Sequence, residues 1–465
     1  MDLLITDTIV VTCDDGRSLL EHAAVAIKGD RIAAVGDSKI LERDFPDLPR
    51  FNGRGLAVFP GFINAHTHTA LTVLRGSVED WGGNAVYGYM SPVSYEMTPA
   101  ERSVMVSMGC LEAIRSGCTT LVDPFRHTPD YIDAMAATGL RLWLSENCAD
   151  INTLKIRLGD YSIDEEFGRV FLERTERCIQ DWQGRGDGRV NFQIAAHAPD
   201  NCSPKMLRAL LDLSAKYKLT RAVHLAQSMD EVKAVGAMHG GLTPAGYLDR
   251  EGFLGPDLVG AHWTYCTPED VELLASRGTQ MAHCPANSSR RGPHTAPLGL
   301  IRDAGVNIAL GTDNMTEDMF HALKIGLITH RGGRGRAVEG GVDPQPQQML
   351  DGITRNGARS VGATHLIGSI EVGKKADLTI LDLNTPSLRP IINLVSAVVH
   401  YGHPGAVHSV MVDGEFLLRD RKMLAMDEEA LMKEAQIVTQ RVWTRMIEKN
   451  PDIPPPPGGL RWLDT

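Results

Sequence analysis

Apolar and polar positions alternate through the first 58 residues, which is the period of half-buried strands. LLITDTIVVT predicts one strand, and AAVAIKGDRIAAVGD predicts two more around a Gly29-Asp30 turn. The same pattern returns in ADLTILDL (376–383) and AVHSVMVDGEFLLRD (406–420), with a turn at Asp413-Gly414. Two such pieces bracket a long middle, and two unrelated small sheets would each expose an edge and a face. The pattern therefore predicts one composite β-sandwich domain assembled from residues 1–58 and 369–424.

The middle, residues 59–368, has a different rhythm: short apolar blocks, each followed by a helix-like stretch. The blocks are GLAVFPGFINAH, CTTLVDP, RLWLSEN, VNFQIAAH, TRAVHLA, LVGAHW, TQMAHCP and VNIALGTD. Thr98-Pro99-Ala100-Glu101 and Thr267-Pro268-Glu269-Asp270 have the form of capping boxes with proline at the first helical position. Gly117 and Gly278 stand where those helices should stop. Eight β units alternating with helices over this length predict an α/β fold, a (β/α)8 TIM-type barrel. A doubly wound open sheet is the alternative, but no G-x-G-x-x-G follows the first strand. Residues 425–465 predict an amphipathic helix and then an extended tail, because NPDIPPPPGGLRWLDT cannot be helical.

Composition narrows the class. The chain has 465 residues, 43% of them hydrophobic, with Lys+Arg 47 against Asp+Glu 58 and a net charge of −11. An acidic chain without a basic tract argues against nucleic acid or an anionic membrane as partner. The opening MDLLITDTIVVTCDD has no basic n-region, and no apolar run reaches the ~18 residues of a membrane span. The 8 cysteines are scattered without a C-x-x-C pair, which fits buried thiols in a reducing compartment. A cytoplasmic protein acting on a small molecule is the expectation.

In such a barrel, chemistry collects at the C-terminal ends of the strands. Those ends carry His66 and His68, Asp123, Glu146 and Asn147, His197, His224, His262, His283 and Asp313 in turn. In an extended segment residues i and i+2 point the same way, so His66 and His68 can reach one cation. Alone, H-x-H is equally compatible with two solvated loop histidines; His224 and Asp313 at matching strand ends change that. Three imidazoles and a carboxylate make a set for one divalent metal, zinc first, with cobalt, iron(II) or manganese admissible. No lysine lies in the rim segments of strands three and four, so a carbamylated-lysine bridge between two metals finds no support. A metal there would supply a bound hydroxide at neutral pH. Asp313 is placed to take and return its proton, and His262 to stabilise charge on a carbonyl oxygen. His197 suits substrate binding or support of the ligands, and His283 suits support from behind them. Cys118, Cys148 and Cys284 read as buried thiols.

These residues resemble the amidohydrolase superfamily. P-G-F-I-N-A-H-T-H (60–68), H-A-P (197–199), V-H-L-A-Q (223–227), G-A-H (260–262), G-T-D-N (311–314) and G-S-I-E-V-G-K-K-A-D-L (368–378) follow its order along nearly the whole chain. The branch most resembled is the single-metal cytosine-deaminase-like and triazine-hydrolase group. The resemblance implies a barrel with a composite β-sandwich, with His66, His68, His224 and Asp313 as metal ligands. It also implies His262 as the catalytic histidine, and homo-oligomers, dimers or tetramers.

One position departs from that branch, whose deaminases carry H-x-x-E after strand five. Here Gln227 stands in place of the acid, and an amide binds a substrate but shuttles no proton. The expected activity is hydrolysis of a C–N or C–S bond at the carbonyl of an apolar urea, carbamate, thiocarbamate or amide. The alternative is an aminohydrolase of a purine, pyrimidine, pterin or triazine ring, with Glu146 or Asp123 replacing the missing acid. Trp81, Tyr87, Tyr89, Met90 and Tyr95 in the segment 75–96 are expected near the rim, Trp81 and Tyr87 as substrate-binding walls. In these features the chain is similar to the phenylurea and molinate (thiocarbamate) hydrolases of xenobiotic degradation.

Overall fold

Gly61 separates two sheets. In the computed structural model, which describes residues 1–81, 85–290, 292, 294–332, 337–338 and 341–462, Leu56–Pro60 and Phe62–Asn64 are successive strands of different sheets. A Cβ on Gly61 would stand 2.0 Å from Thr119 Oγ1, and its N–H donates to Asp377 O at 2.8 Å. The block 55–66, expected as one barrel strand, is thus divided between the sheets by a close approach of backbone to side chain. The fourth block likewise splits, into Val190–Phe192 and Ile194–Ala196.

The sheet from the chain ends has nine strands. Leu3–Val11, Leu19–Lys28, Arg31–Asp37, Arg50–Asn52 and Leu56–Pro60 come from the start, and Leu378–Asp382, Val407–Val412, Glu415–Arg419 and Lys422–Met423 from the end. The join is Leu56–Pro60 against Leu378–Asp382, antiparallel. The pairing is continuous from one half to the other. One apolar cluster draws on both halves, and Phe51 meets Phe416 at 5.8 Å, so the sheet curls over its own core. Asp413 and Gly414, at φ +49° and +74°, form the tight turn expected there.

The second sheet is the barrel. Phe62–Asn64, Cys118–Phe125, Arg141–Cys148, Ile194–Ala196, Arg221–Leu225, Leu258–His262, Gln280–His283 and Ile308–Leu310 run parallel in chain order. Ala65 N–H donates to Leu310 O, Asp313 N–H to His66 O and His68 N–H to Asp313 O, each at 2.9 Å, and so the last strand meets the first. Four surrounding helices begin with a Ser/Thr-Pro pair. Thr98, Ser203, Thr243 and Thr267 each accept from the N–H three residues on, and proline at the next position leaves no N–H unsatisfied.

Arg141, buried at the start of the third barrel strand, bonds Asp377 at 2.7 and 3.0 Å and Asp413 at 2.5 Å, which flank strands of the other sheet. Removing one partner of a buried charge network leaves the others uncompensated. Arg141→Ala is therefore expected to cost about 3–5 kcal/mol of stability, read as a lower Tm by calorimetry; an unchanged Tm would refute the bridge.

The C-terminal helix Glu428–Lys449 packs on Pro99–Arg115, with Trp443 Nε1 donating to Val73 O at 2.8 Å. Beyond it the proline-rich tail lies on the chain's own surface: Asp452 pairs with Arg157, Ile453 is buried, and Pro454 O accepts from the Tyr89 hydroxyl. All 8 cysteines are buried and none is in a disulfide. No helix among the described residues is long and apolar enough to cross a membrane.

Candidate metal centre

Strand ends one, five, six and eight bring His66, His68, His224, His262 and Asp313 together, all buried. His68 Nε2 lies 3.1 Å from His224 Nε2 and 3.5 Å from Asp313 Oδ1. His66 Nε2 is 4.0 Å from Asp313 Oδ1, and His262 Nε2 is 3.9 Å from Asp313 Oδ2. The set His66, His68, His224 and the set His66, His262, Asp313 each place donor atoms within 4.8 Å of one another.

Local backbone aims these groups. Gly311 abuts strand one so closely that a Cβ would meet His66 O at 2.6 Å, and this contact sets Asp313 beside the H-x-H segment. Asp313 at φ +65° and His262 at φ +82° are left-handed, a conformation that costs a non-glycine residue about 1 kcal/mol or more and clusters at functional sites.

The donor set fits a cation. His224 Nδ1 donates to His197 O at 2.7 Å, which turns the Nε2 lone pair toward His68. His66 Nε2 is buried with no hydrogen-bond partner. Burial and the neighbouring imidazoles hold His66 well below the usual histidine range, in the neutral, ligating form. Asp123 stands 3.8 Å behind His68 Nδ1, fixed by Thr69 N and Oγ1 at 3.1 and 2.6 Å. The site is compatible with a single divalent metal.

Glu317, which the sequence reading did not single out, braces this arrangement from below. It accepts from Thr67 Oγ1 at 2.6 and 2.7 Å and from Asn64 Nδ2 at 3.0 Å, and Asn64 Oδ1 accepts from Thr312 N–H at 3.1 Å. Thr67 lies between two candidate ligands, so Glu317 ties the H-x-H segment to the loop after strand eight. Its place four residues after Asp313 was the one available signal. Burial pushes it well above the usual carboxylate range.

The cavity above the histidines is lined by His68, His197, His224, Gln227 and Asp313, with Arg126, Asn147 and Asn314, and roofed by Val86, Met90, Ser91 and Ser94. Its volume is about 30 Å³, room for a few waters. His197 Nδ1 accepts from Asn201 Nδ2 at 2.5 Å, an orientation set by Ala198 N–H on Asn201 Oδ1, so its Nε2 carries the hydrogen. Burial holds His197 neutral.

Several expected residues lie elsewhere. The Tyr87 hydroxyl is held by Asp200 at 2.9 and 3.0 Å, and Trp81 packs on Tyr89 at 4.3 Å beside a separate cavity; neither lines the space above the histidines. His283 turns to His330, with 2.8 Å between Nε2 atoms. Neither Asp123 nor Glu146 reaches the cavity, and Asp313 is its one carboxylate among the described residues.

Glu146 accepts from Thr128 N–H at 2.6 Å, and burial pushes its pKa up to about 7 from 4.5. Between those values the folded chain binds more protons at this group than the unfolded chain, so its contribution to stability falls as pH rises from 4.5 to about 7. Glu146→Gln should stabilise the fold at pH 8 by up to about 3 kcal/mol, read as a higher Tm, and change little at pH 4; equal effects at both would refute the shift.

The amidohydrolase family profile matches residues 57–417. The chain is 27% identical over 449 residues to the 5'-deoxyadenosine deaminase of Methanosarcina acetivorans, covering 96% of this chain and 99% of that one. It is 29% identical over 457 residues to the 5-methylthioadenosine/S-adenosylhomocysteine deaminase of Syntrophobacter fumaroxidans, covering 95% and 98%. Among solved structures, an adenosine deaminase from Xanthomonas campestris with bound zinc superposes with a TM-score of 0.83 at 25% identity, over 95% and 99% of the chains. The atrazine chlorohydrolase of Arthrobacter aurescens TC1 complexed with zinc superposes with 0.82 at 20% identity, over 94% and 100%, a likeness of fold. The names of these relatives lend no support to the narrower likeness to phenylurea and molinate hydrolases.

Proposed function

The chain belongs to the amidohydrolase family, and from that premise we propose that it hydrolyses a C–N or C–S bond at the carbonyl of a small urea, carbamate, thiocarbamate or amide. The observation that carries this reading is Gln227. It lines the cavity where ring deamination needs a proton donor, and no described carboxyl other than Asp313 lines it. An electrophilic carbonyl needs no such donor.

A divalent cation held by His66, His68, His224 and Asp313, zinc first and cobalt, iron or manganese on the same donors, would acidify a water and polarise the scissile carbonyl. Asp313 takes the proton of the attacking water and returns it to the departing nitrogen or sulfur. His262, on the far side of Asp313, supports the charge that develops on the carbonyl oxygen. His197 donates from Nε2, and the Gln227 amide orients the substrate. Trp81 and Tyr87 drop out of the substrate wall. The expectation of an oligomeric, cytoplasmic enzyme is kept as part of the proposal.

A second reading, an aminohydrolase releasing ammonia from an adenosine-type ring, is favoured over the first by the names of the relatives. Mass spectrometry separates the two. The metal-replete enzyme is given aryl ureas, carbamates and thiocarbamates beside 5'-deoxyadenosine, amino-pyrimidines and triazines. An organic amine or thiol from the first group is the expected product. Ammonia from the second group alone would replace the first reading by the second.

A further inference from the structure

Three guanidinium groups surround His127, just past the second barrel strand, and they are satisfied differently. Arg102 Nη1 meets Asp130 Oδ2 at 2.7 Å. Arg174 Nη1 lies 3.3 Å from His127 Nδ1 and faces the charge of Glu146. Arg126 is 5% exposed, yet it forms no ion pair with any described carboxylate. Its Nη1 donates to Thr153 Oγ1 at 3.0 Å and weakly to Ser91 Oγ at 3.4 Å, while its Nε is buried without an acceptor. Its Cζ lies 4.9 Å from the Tyr95 ring centroid and 5.6 Å from that of Phe125. The same side chain lines the cavity above the histidines.

A guanidinium taken out of water is costly unless it is paired and hydrogen-bonded, and two hydroxyls and two aromatic faces are a partial return. Among its described residues the cavity offers no free counter-charge, because Asp313, their one carboxylate, already faces nitrogens of three histidines, His66, His68 and His262. A fork of N–H donors in that setting matches a carboxylate, which accepts two parallel bonds. Leu71, Val86, Met90 and Phe125 form an apolar wall beside it.

We propose that Arg126 determines specificity at this site and that the substrate carries a carboxylate which pairs with its guanidinium, at the end of an apolar body opposite the scissile bond. This deepens the carbonyl-hydrolase reading and rests on it for the nature of the reacting end. It also replaces the expectation of a purely apolar substrate walled by Trp81 and Tyr87, which lie elsewhere.

The test is calorimetric binding of para-ureidobenzoate and para-ureidobenzamide to the zinc-loaded full chain, wild type against Arg126→Met and Arg126→Lys. Zinc content and Tm are measured alongside. Hydrogen bonds to a charged group predict that the carboxylate binds about ten- to a hundredfold tighter than the carboxamide. Arg126→Met should erase that preference with zinc content unchanged, and Arg126→Lys should keep part of it as a single point charge. Equal affinities in the wild type, a preference that survives Arg126→Met, or no binding of either compound would overturn the proposal. Retained preference with neither compound hydrolysed would overturn the carbonyl reading alone and leave Arg126 as the carboxylate's partner.

Discussion

Asp313→Asn is expected to lower kcat by about a hundred- to ten-thousandfold, with a small effect on KM. The side chain is near-isosteric, and asparagine tolerates the left-handed backbone at φ +65°, so the fold and the closure of strand eight on strand one are kept. What is lost is the proton acceptor, because an amide cannot take a proton from water or return it to a leaving group, and general acid–base catalysis of this kind is worth about 10²–10⁴. Loss of negative charge beside His66 and His68, at 4.0 and 3.5 Å, also weakens the cation site. Steady-state kinetics on whichever substrate the product survey identifies gives the size of the effect, with metal content measured on the same sample. A variant that keeps its metal and turns over within tenfold of wild type would sink the role assigned to Asp313.

Stripping the metal with a chelator abolishes turnover and lowers Tm, and one equivalent of zinc, cobalt or manganese per chain restores both. Four buried donors from strand ends one, five and eight face one another at 3.1 to 4.0 Å, and an ion that binds only the folded chain stabilises it by about 4 kcal/mol at a thousandfold excess over its Kd. His224→Ala should mimic the chelated state, since it removes the ligand whose tautomer is set by His197 O. Metal analysis with calorimetry reads the result. Full activity in metal-free protein, or two metals per chain at saturation, would overturn a single-cation site.

The parts of the molecule that were legible beforehand are those encoded locally. The apolar blocks ending in His224, His262 and Asp313 are strands because their residues are bulky, apolar and bounded by turn formers. The helix starts at Thr98 and Thr267 were visible because a cap, a proline and an acid three residues on satisfy the first turn by themselves. The block 55–66 misled because its apolar run is continuous across Gly61. Only the Thr119 side chain, 58 positions along, shows why the chain must change sheets there. Trp81 and Tyr87 misled for a related reason. An aromatic residue near a rim packs wherever a partner waits, and the partners are Tyr89 and Asp200.

The sequence by itself determined the alternation of strand and helix, the donor types at the strand ends and the missing acid at Gln227, since each depends on neighbours within a few residues. Tertiary structure alone decided which donors converge, that Glu317 ties Thr67 to the loop after strand eight, and that Arg126 reaches the cavity with no carboxylate partner among the described residues. Those facts depend on the closing of residue 313 against residues 66–68 and on the burial of charges whose partners lie on other strands. A barrel's radius and stagger set such distances; the period of its strands does not.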